Sequence, residues 1–177
     1  MPTPPTFTAY TPLTAAQLNQ AGLWLVKTQT VGTGVSSVTV TGAFSADYDN
    51  YKIIYAGGSN STNDLAMQLR FANTAHHYGS MRYDSFTGVG SGTLATNAQT
   101  FGYFGLTGAA TQPFWSIDVL NPFQTIFTKW SGFFVSNLYA GQGGGVYAQN
   151  TSISDFTMLT PSGTMTGGTI RVYGYRN

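Results

Sequence analysis

Five segments of the chain alternate side chains with a period of two. Val38 and Val40 alternate with Ser37, Thr39 and Thr41. Tyr51, Ile53 and Tyr55 alternate with Lys52, Ile54 and Ala56. Leu65, Met67, Leu69 and Phe71 alternate with Ala66, Gln68 and Arg70. Trp115, Ile117 and Val119 alternate with Phe114, Ser116 and Asp118, and Ile170 and Val172 with Thr169 and Arg171. Successive side chains of a strand point to opposite faces, so each segment predicts a strand with one buried face. Turn chemistry separates them at 32–34, 47–50, 57–60, 121–122, 141–145 and 161–163, where Gly, Asn, Asp, Ser and Pro cluster. Short strands at this spacing, with no helical pattern between them, predict an all-β antiparallel sandwich, jelly-roll-like. No repeat period argues for a solenoid or propeller. Residues 86–112 are the least regular and read either as two strands with long loops or as a mobile excursion.

The first 22 residues follow another pattern. Pro2, Pro4, Pro5 and Pro12 push their neighbours toward extended backbone, with Phe7 and Tyr10 as apolar anchors. A helix of about eight residues is expected next, too short to stand alone. Thr14 is its N-cap with Gln17 closing a capping box, Leu13 and Leu18 form the hydrophobic staple, and Gly22 is the stop. The chain thus divides into an arm with a short helix, 1–22, and a sandwich domain, 23–177.

Composition narrows the functional classes. The 177 residues carry 7 Lys and Arg against 6 acidic residues, all of them Asp, for a net charge of +1. Charged residues are 7% of the chain, where about 25% is usual. That excludes a long solvated helix or coiled coil. It argues against a nucleic-acid partner held by phosphate neutralisation. Zero Cys excludes disulfides and thiolate metal sites. A weakly charged surface does little to keep molecules apart, which points to permanent assembly. The start, Met1-Pro2-Thr3-Pro4-Pro5-Thr6, has no basic and apolar leader, and no apolar run approaches the ~20 residues that span a bilayer. No export by that route and no membrane insertion are expected.

Candidate chemistry is sparse. Asp47 and Asp49 are the closest carboxylates, but Asp-Tyr-Asp-Asn is a turn composition. His76 and His77 point to opposite faces of a regular strand and cannot share an ion there. Gly90-Ser91-Gly92 lacks the strand-to-helix context of a nucleophile elbow. Gly141 to Gly145 precedes no Lys-Ser/Thr and opens no helix, so it is no phosphate cradle. Neither a catalytic group, a metal site nor a cofactor is expected. Aromatics are the richest feature at 15%. Trp115, Trp130, Phe133 and Phe134 are expected in the core. Tyr78, Tyr83, Phe86, Tyr139 and Tyr147 stand in loop-like surroundings, where a flat ring beside Gly, Asn and Gln suits a sugar, or a protein contact.

Three segments carry a resemblance. Phe7-Thr8-Ala9-Tyr10-Thr11-Pro12-Leu13-Thr14-Ala15-Ala16-Gln17-Leu18-Asn19 resembles the N-terminal segment of tail fibre and minor tail proteins of tailed bacteriophages. Residues 23–40 and 44–51 look like the opening of a β-sandwich domain of phage virion proteins, and Gly167-Gly168-Thr169-Ile170-Arg171-Val172-Tyr173-Gly174-Tyr175 is similar to its closing strand. The resemblance implies a non-enzymatic virion component, a homotrimer, made in the host cytoplasm and released by lysis. Phe7, Tyr10, Pro12, Leu13 and Leu18 would anchor it to other virion proteins. The sandwich would act as a tail-fibre or tail-tip adhesin for a host-surface glycan or protein. The alternative function is a capsid decoration protein that stabilises the head.

Overall fold

Tyr51, Ile53 and Tyr55 fix the centre of the fold, because all three side chains are buried on one face of one strand. A computed structural model describes residues 22–62, 65–72, 74–84, 87–99, 102–107, 112–137 and 139–175, with the backbone alone at 65, 66, 96–98 and 103–107. In chain order the strands are Trp24–Thr30 (β1), Ser37–Val40 (β2), Asn50–Ala56 (β3), Ser59–Asn60 (β4) and Leu65–Arg70 (β5). They continue with His76–Asp84 (β6), Gly90–Gln99 (β7), Gly102–Thr107 (β8), Phe114–Leu120 (β9) and Thr128–Val135 (β10). Tyr139–Tyr147 (β11), Phe156–Leu159 (β12), Met165–Thr166 (β13) and Thr169–Tyr175 (β14) complete the set. There is no helix among the described residues, and the expected helix of the arm lies outside them.

The strands form two antiparallel sheets and a small ribbon. The large sheet has eight strands in the order β1-β14-β3-β9-β10-β11-β6-β7. The small sheet has four, β2-β12-β5-β8, and β13 pairs with β4. The two sheets face each other across one core. Tyr51, Tyr55, Trp115, Val119, Trp130 and Phe134 come from the large sheet, and Val40, Met67, Leu69, Phe156 and Met158 from the small one. Each such side chain contributes about 1.5–3 kcal/mol of burial. Ring pairs such as Tyr55–Trp115, with centroids 5.3 Å apart, add geometric preference.

All five period-two segments fall on strands, and Val40, Tyr51, Ile53, Tyr55, Met67, Leu69, Trp115, Ile117, Val119, Ile170 and Val172 turn inward as expected. Residues 86–112 contain two strands, β7 and β8, joined by a short connection. The turn signal at 57–58 is realised, with Gly57 and Gly58 at φ of 80° and 79°.

One expected turn is wrong. Residues 141–145 lie inside β11, which pairs along its whole length with β10 and β6. The reason is steric. On the inner face a Cβ at Gly145 would clash first with the His77 carbonyl of β6 and stand 2.7 Å from the Trp130 ring, and one at Gly141 would clash first with the Met81 carbonyl and stand 2.7 Å from the Phe134 ring. A Cβ at Gly102, on the facing sheet, would meet Trp130 at 2.4 Å. These glycines make room for rings from neighbouring strands, at the usual entropic cost of glycine in a strand.

Gly145→Ala is therefore expected to destabilise the fold by about 1–3 kcal/mol through overpacking. At Gly79 the nearest atom to an added Cβ is 3.8 Å away. Gly79→Ala is expected to be neutral or to stabilise by up to about 1 kcal/mol. Urea midpoints of the two variants would check the contrast.

Candidate functional site

The outer face of the large sheet faces away from the small sheet, and its register assembles a continuous surface. Ala56, Phe114, Val135, Ala140, Tyr83 and Gly90 form one row across β3, β9, β10, β11, β6 and β7. The adjacent row is Ile54, Ser116, Phe133, Gln142, Met81 and Gly92. From β3 to β7 neither row holds a charged side chain; Arg171 on β14, opposite Ile54, bounds the second row. Phe114, Phe133, Val135, Met81 and Tyr83 are all exposed. The Phe114 and Phe133 rings sit diagonally on neighbouring strands, with centroids 5.8 Å apart. A contiguous exposed apolar platform of this kind marks a contact surface.

The third row begins with charge. Lys52 Nζ lies 2.8 Å from Asp118 Oδ2, and also donates to Ser116 Oγ at 3.4 Å. The Tyr175 hydroxyl donates to Asp118 Oδ1 at 3.3 Å. Burial, then the Asp118 carboxylate, push the Tyr175 phenol up to about 12. The ion pair is part-exposed, which makes it a border of the platform rather than a support of the fold.

The expected binding residues divide. Tyr83, on β6, is 55% exposed at the β6 side of the platform. Tyr78, on the same strand, is half-buried and packs against the core, and burial raises its phenol pKa. Tyr139 and Tyr147 are corrections. They are not loop residues but the first and last of β11, with side chains 8% and 1% exposed. Tyr139 carries the Arg82 guanidinium over its ring at 5.3 Å, and Tyr147 packs on Phe71 and His76. Neither presents a face to a partner. Phe86 and the anchoring set Phe7, Tyr10, Pro12, Leu13 and Leu18 lie outside the described residues.

Phe133 is a second correction. It was expected in the core with Phe134, but only Phe134 is buried, and Phe133 is 48% exposed. Two consecutive residues of a strand cannot both face inward. The same parity turns Phe114 out where Trp115 turns in. Strand parity was the available signal for these platform residues.

His76 and His77 occupy opposite faces of β6. His76 is fully buried. Its Nε2 accepts the Phe71 N–H at 3.2 Å, so the proton sits on Nδ1, which donates to the Gln99 carbonyl at 3.0 Å. One imidazole thereby ties the end of β5 to β6 and β7. Asp47 and Asp49 lie in the turn before β3, where Asp47 accepts from Ser45 Oγ and Asp49 from Gln124 Nε2. Among the described residues no three His, Asp, Glu or Cys side chains group as a metal site. The cavity between the sheets at Tyr55, Gln68, Leu69, Trp115 and Met158 measures about 10 Å³, room for one water. Comparison with protein-family models, curated proteins and solved structures finds no match.

Burial holds the His76 imidazole below its ordinary value of 6.5, reinforced by the Arg70 and His77 charges and opposed by the Gln99 hydrogen bond. The unfolded chain therefore binds that proton more readily than the fold. The His76 contribution is complete above pH 6.5 and is lost as pH falls below it. Thermal melts from pH 8 to 5 should show this decline, and His76→Gln should flatten that part of the curve while lowering its plateau.

Proposed function

We propose that the protein is a structural component of a tailed-bacteriophage virion, of the tail fibre or tail-tip type. It attaches to a host-surface glycan or protein through the outer face of its large sheet. The observation that carries this reading is the flat, uncharged platform of Phe114, Phe133, Val135, Met81 and Tyr83. Gln142 stands between Phe133 and Met81 in the same row. Rings that stack on a sugar or a protein side chain, with an amide beside them to fix orientation, are a contact chemistry without catalysis. The tail-type segment at 7–19 supports the same reading, with residues 1–22 as an arm and short helix that anchor a jelly-roll-like sandwich to other virion proteins. The resemblance also supports three copies per assembly, production in the host cytoplasm and release by lysis. The protein is not an enzyme in this reading.

The double variant Tyr83→Ala, Phe133→Ala tests it. Both side chains are exposed, so folding is expected to be intact. Particles that carry the variant should adsorb to host cells about tenfold more weakly, the factor given by ~1.4 kcal/mol of lost contact. Adsorption equal to that of the parent particle would refute the attachment role. Immunogold label over heads rather than tails would shift the reading to capsid decoration, with the platform braced against neighbouring capsomers.

A further inference from the structure

The platform does not hold all the apolar side chains that the fold leaves uncovered. Phe123, Ile126 and Phe127 fall within five residues of the connection between β9 and β10, and are 36%, 45% and 45% exposed. The backbone of this loop is pinned to two other segments. The Asn121 N–H donates to the Asp49 carbonyl at 3.1 Å. The Pro122 carbonyl accepts the Ile153 N–H at 2.8 Å, and the Phe123 carbonyl accepts the Ser152 hydroxyl at 2.9 Å. A fixed loop that holds three large apolar side chains toward water marks a contact surface. The chain enters the large sheet at the same end. Trp24, Gly174, Tyr51 and Val119 form one row across β1, β14, β3 and β9. Gly22 and Asn121 each stand two positions beyond that row, on the same side of it. Leu23, between Gly22 and the row, is exposed as well. Gly22, at φ 107°, bends the backbone just before β1.

We propose that the helix expected between Thr14 and Gly22 packs on this loop of its own chain, with Leu13 and Leu18 against Phe123, Ile126 and Phe127. The length of chain ahead of β1 favours this occupant. From Gly22, eight helical residues reach about 12 Å. From β1 to β9 there are three strand spacings, roughly 14 Å at 4.8 Å each. A helix laid across the ends of β14 and β3 therefore brings Leu13 to where the loop begins. A helix this short is not stable in water and needs an apolar surface to lie on. Charge favours the same occupant. The first 22 residues carry no charged side chain, and neither do residues 121–127, so the contact buries no charge. Covalent connection also gives the arm an effective concentration of order millimolar at the loop, above that of a free partner at micromolar level. The contact assigns Leu13 and Leu18 to the domain itself and leaves Phe7, Tyr10 and Pro12 for a virion partner. It goes beyond the attachment reading and does not depend on it.

Hydrogen exchange of the full chain, read by mass spectrometry on a peptide covering residues 13–22, tests the contact. Its amides should exchange about tenfold more slowly than in an unstructured peptide, the factor given by ~1.4 kcal/mol of docking. The double variant Ile126→Asp, Phe127→Asp should return them to the unstructured rate. Both side chains are exposed, so protection in β3 and β9 should stay as in the parent. Leu18→Asp, on the arm, should abolish the same protection without touching the domain. The proposal is overturned if residues 13–22 are unprotected in the parent. It is overturned if either variant leaves the protection in place, which would put the helix on another surface. It is equally overturned if the protection fades on dilution through the micromolar range, which would make the arm on the loop that of a second copy.

Discussion

The rest of this structure depends on fitting large rings over neighbouring strands that have no side chain to offer them. Trp130 lies across Gly145 on β11 and Gly102 on β8, and Phe134 lies across Gly141. With an alanine at those positions the sheets would have to move apart or the rings turn out. Glycine lets β10, β11 and β6 pair closely while Trp130 fills the space between the two layers. A dense core is thus reached in a chain with little charge and no crosslink. On the outer face of the same strand, Ala140 and Gly144 stand beside Gln142 and Val146.

His76 shows a second use of a tight interior. Its ring lies near-parallel to Phe71, at a centroid separation of 5.8 Å and an interplanar angle of 16°. Both its nitrogens are committed to backbone groups on either side. A side chain that could have been a ligand is thereby a fastener for β5, β6 and β7. His77 points to the other face, which leaves the two imidazoles with separate surroundings.

Much of the sandwich was legible in the sequence wherever apolar and small polar residues alternate, as at Tyr51–Ile53–Tyr55 and Trp115–Ile117–Val119. There, local pattern and tertiary burial agree. Where they part, the sequence misled. The run at 141–145 carries turn chemistry, and what makes it a strand lies far along the chain: the β6 backbone at His77 and Met81 and the rings of Trp130 and Phe134 crowd Gly145 and Gly141. Tyr139 and Tyr147 look like loop residues for the same reason, since they flank those glycines. Phe133 beside Phe134 and Phe114 beside Trp115 were decidable by parity alone. That rule separates core from platform without any knowledge of the partner strands.

The pairing of the first and last strands sets how the domain is carried. Trp24 lies opposite Gly174, so the backbone enters β1 and leaves β14 at neighbouring points. From β1 to β7 there are seven strand spacings, roughly 34 Å at 4.8 Å each. Whatever precedes residue 22 and whatever follows residue 175 thus pulls on one corner, while strand β7 lies at the opposite side and Phe114 and Phe133 at the middle of the sheet. Tension applied through both ends would be borne by the β1–β14 seam and would leave the far strands unloaded.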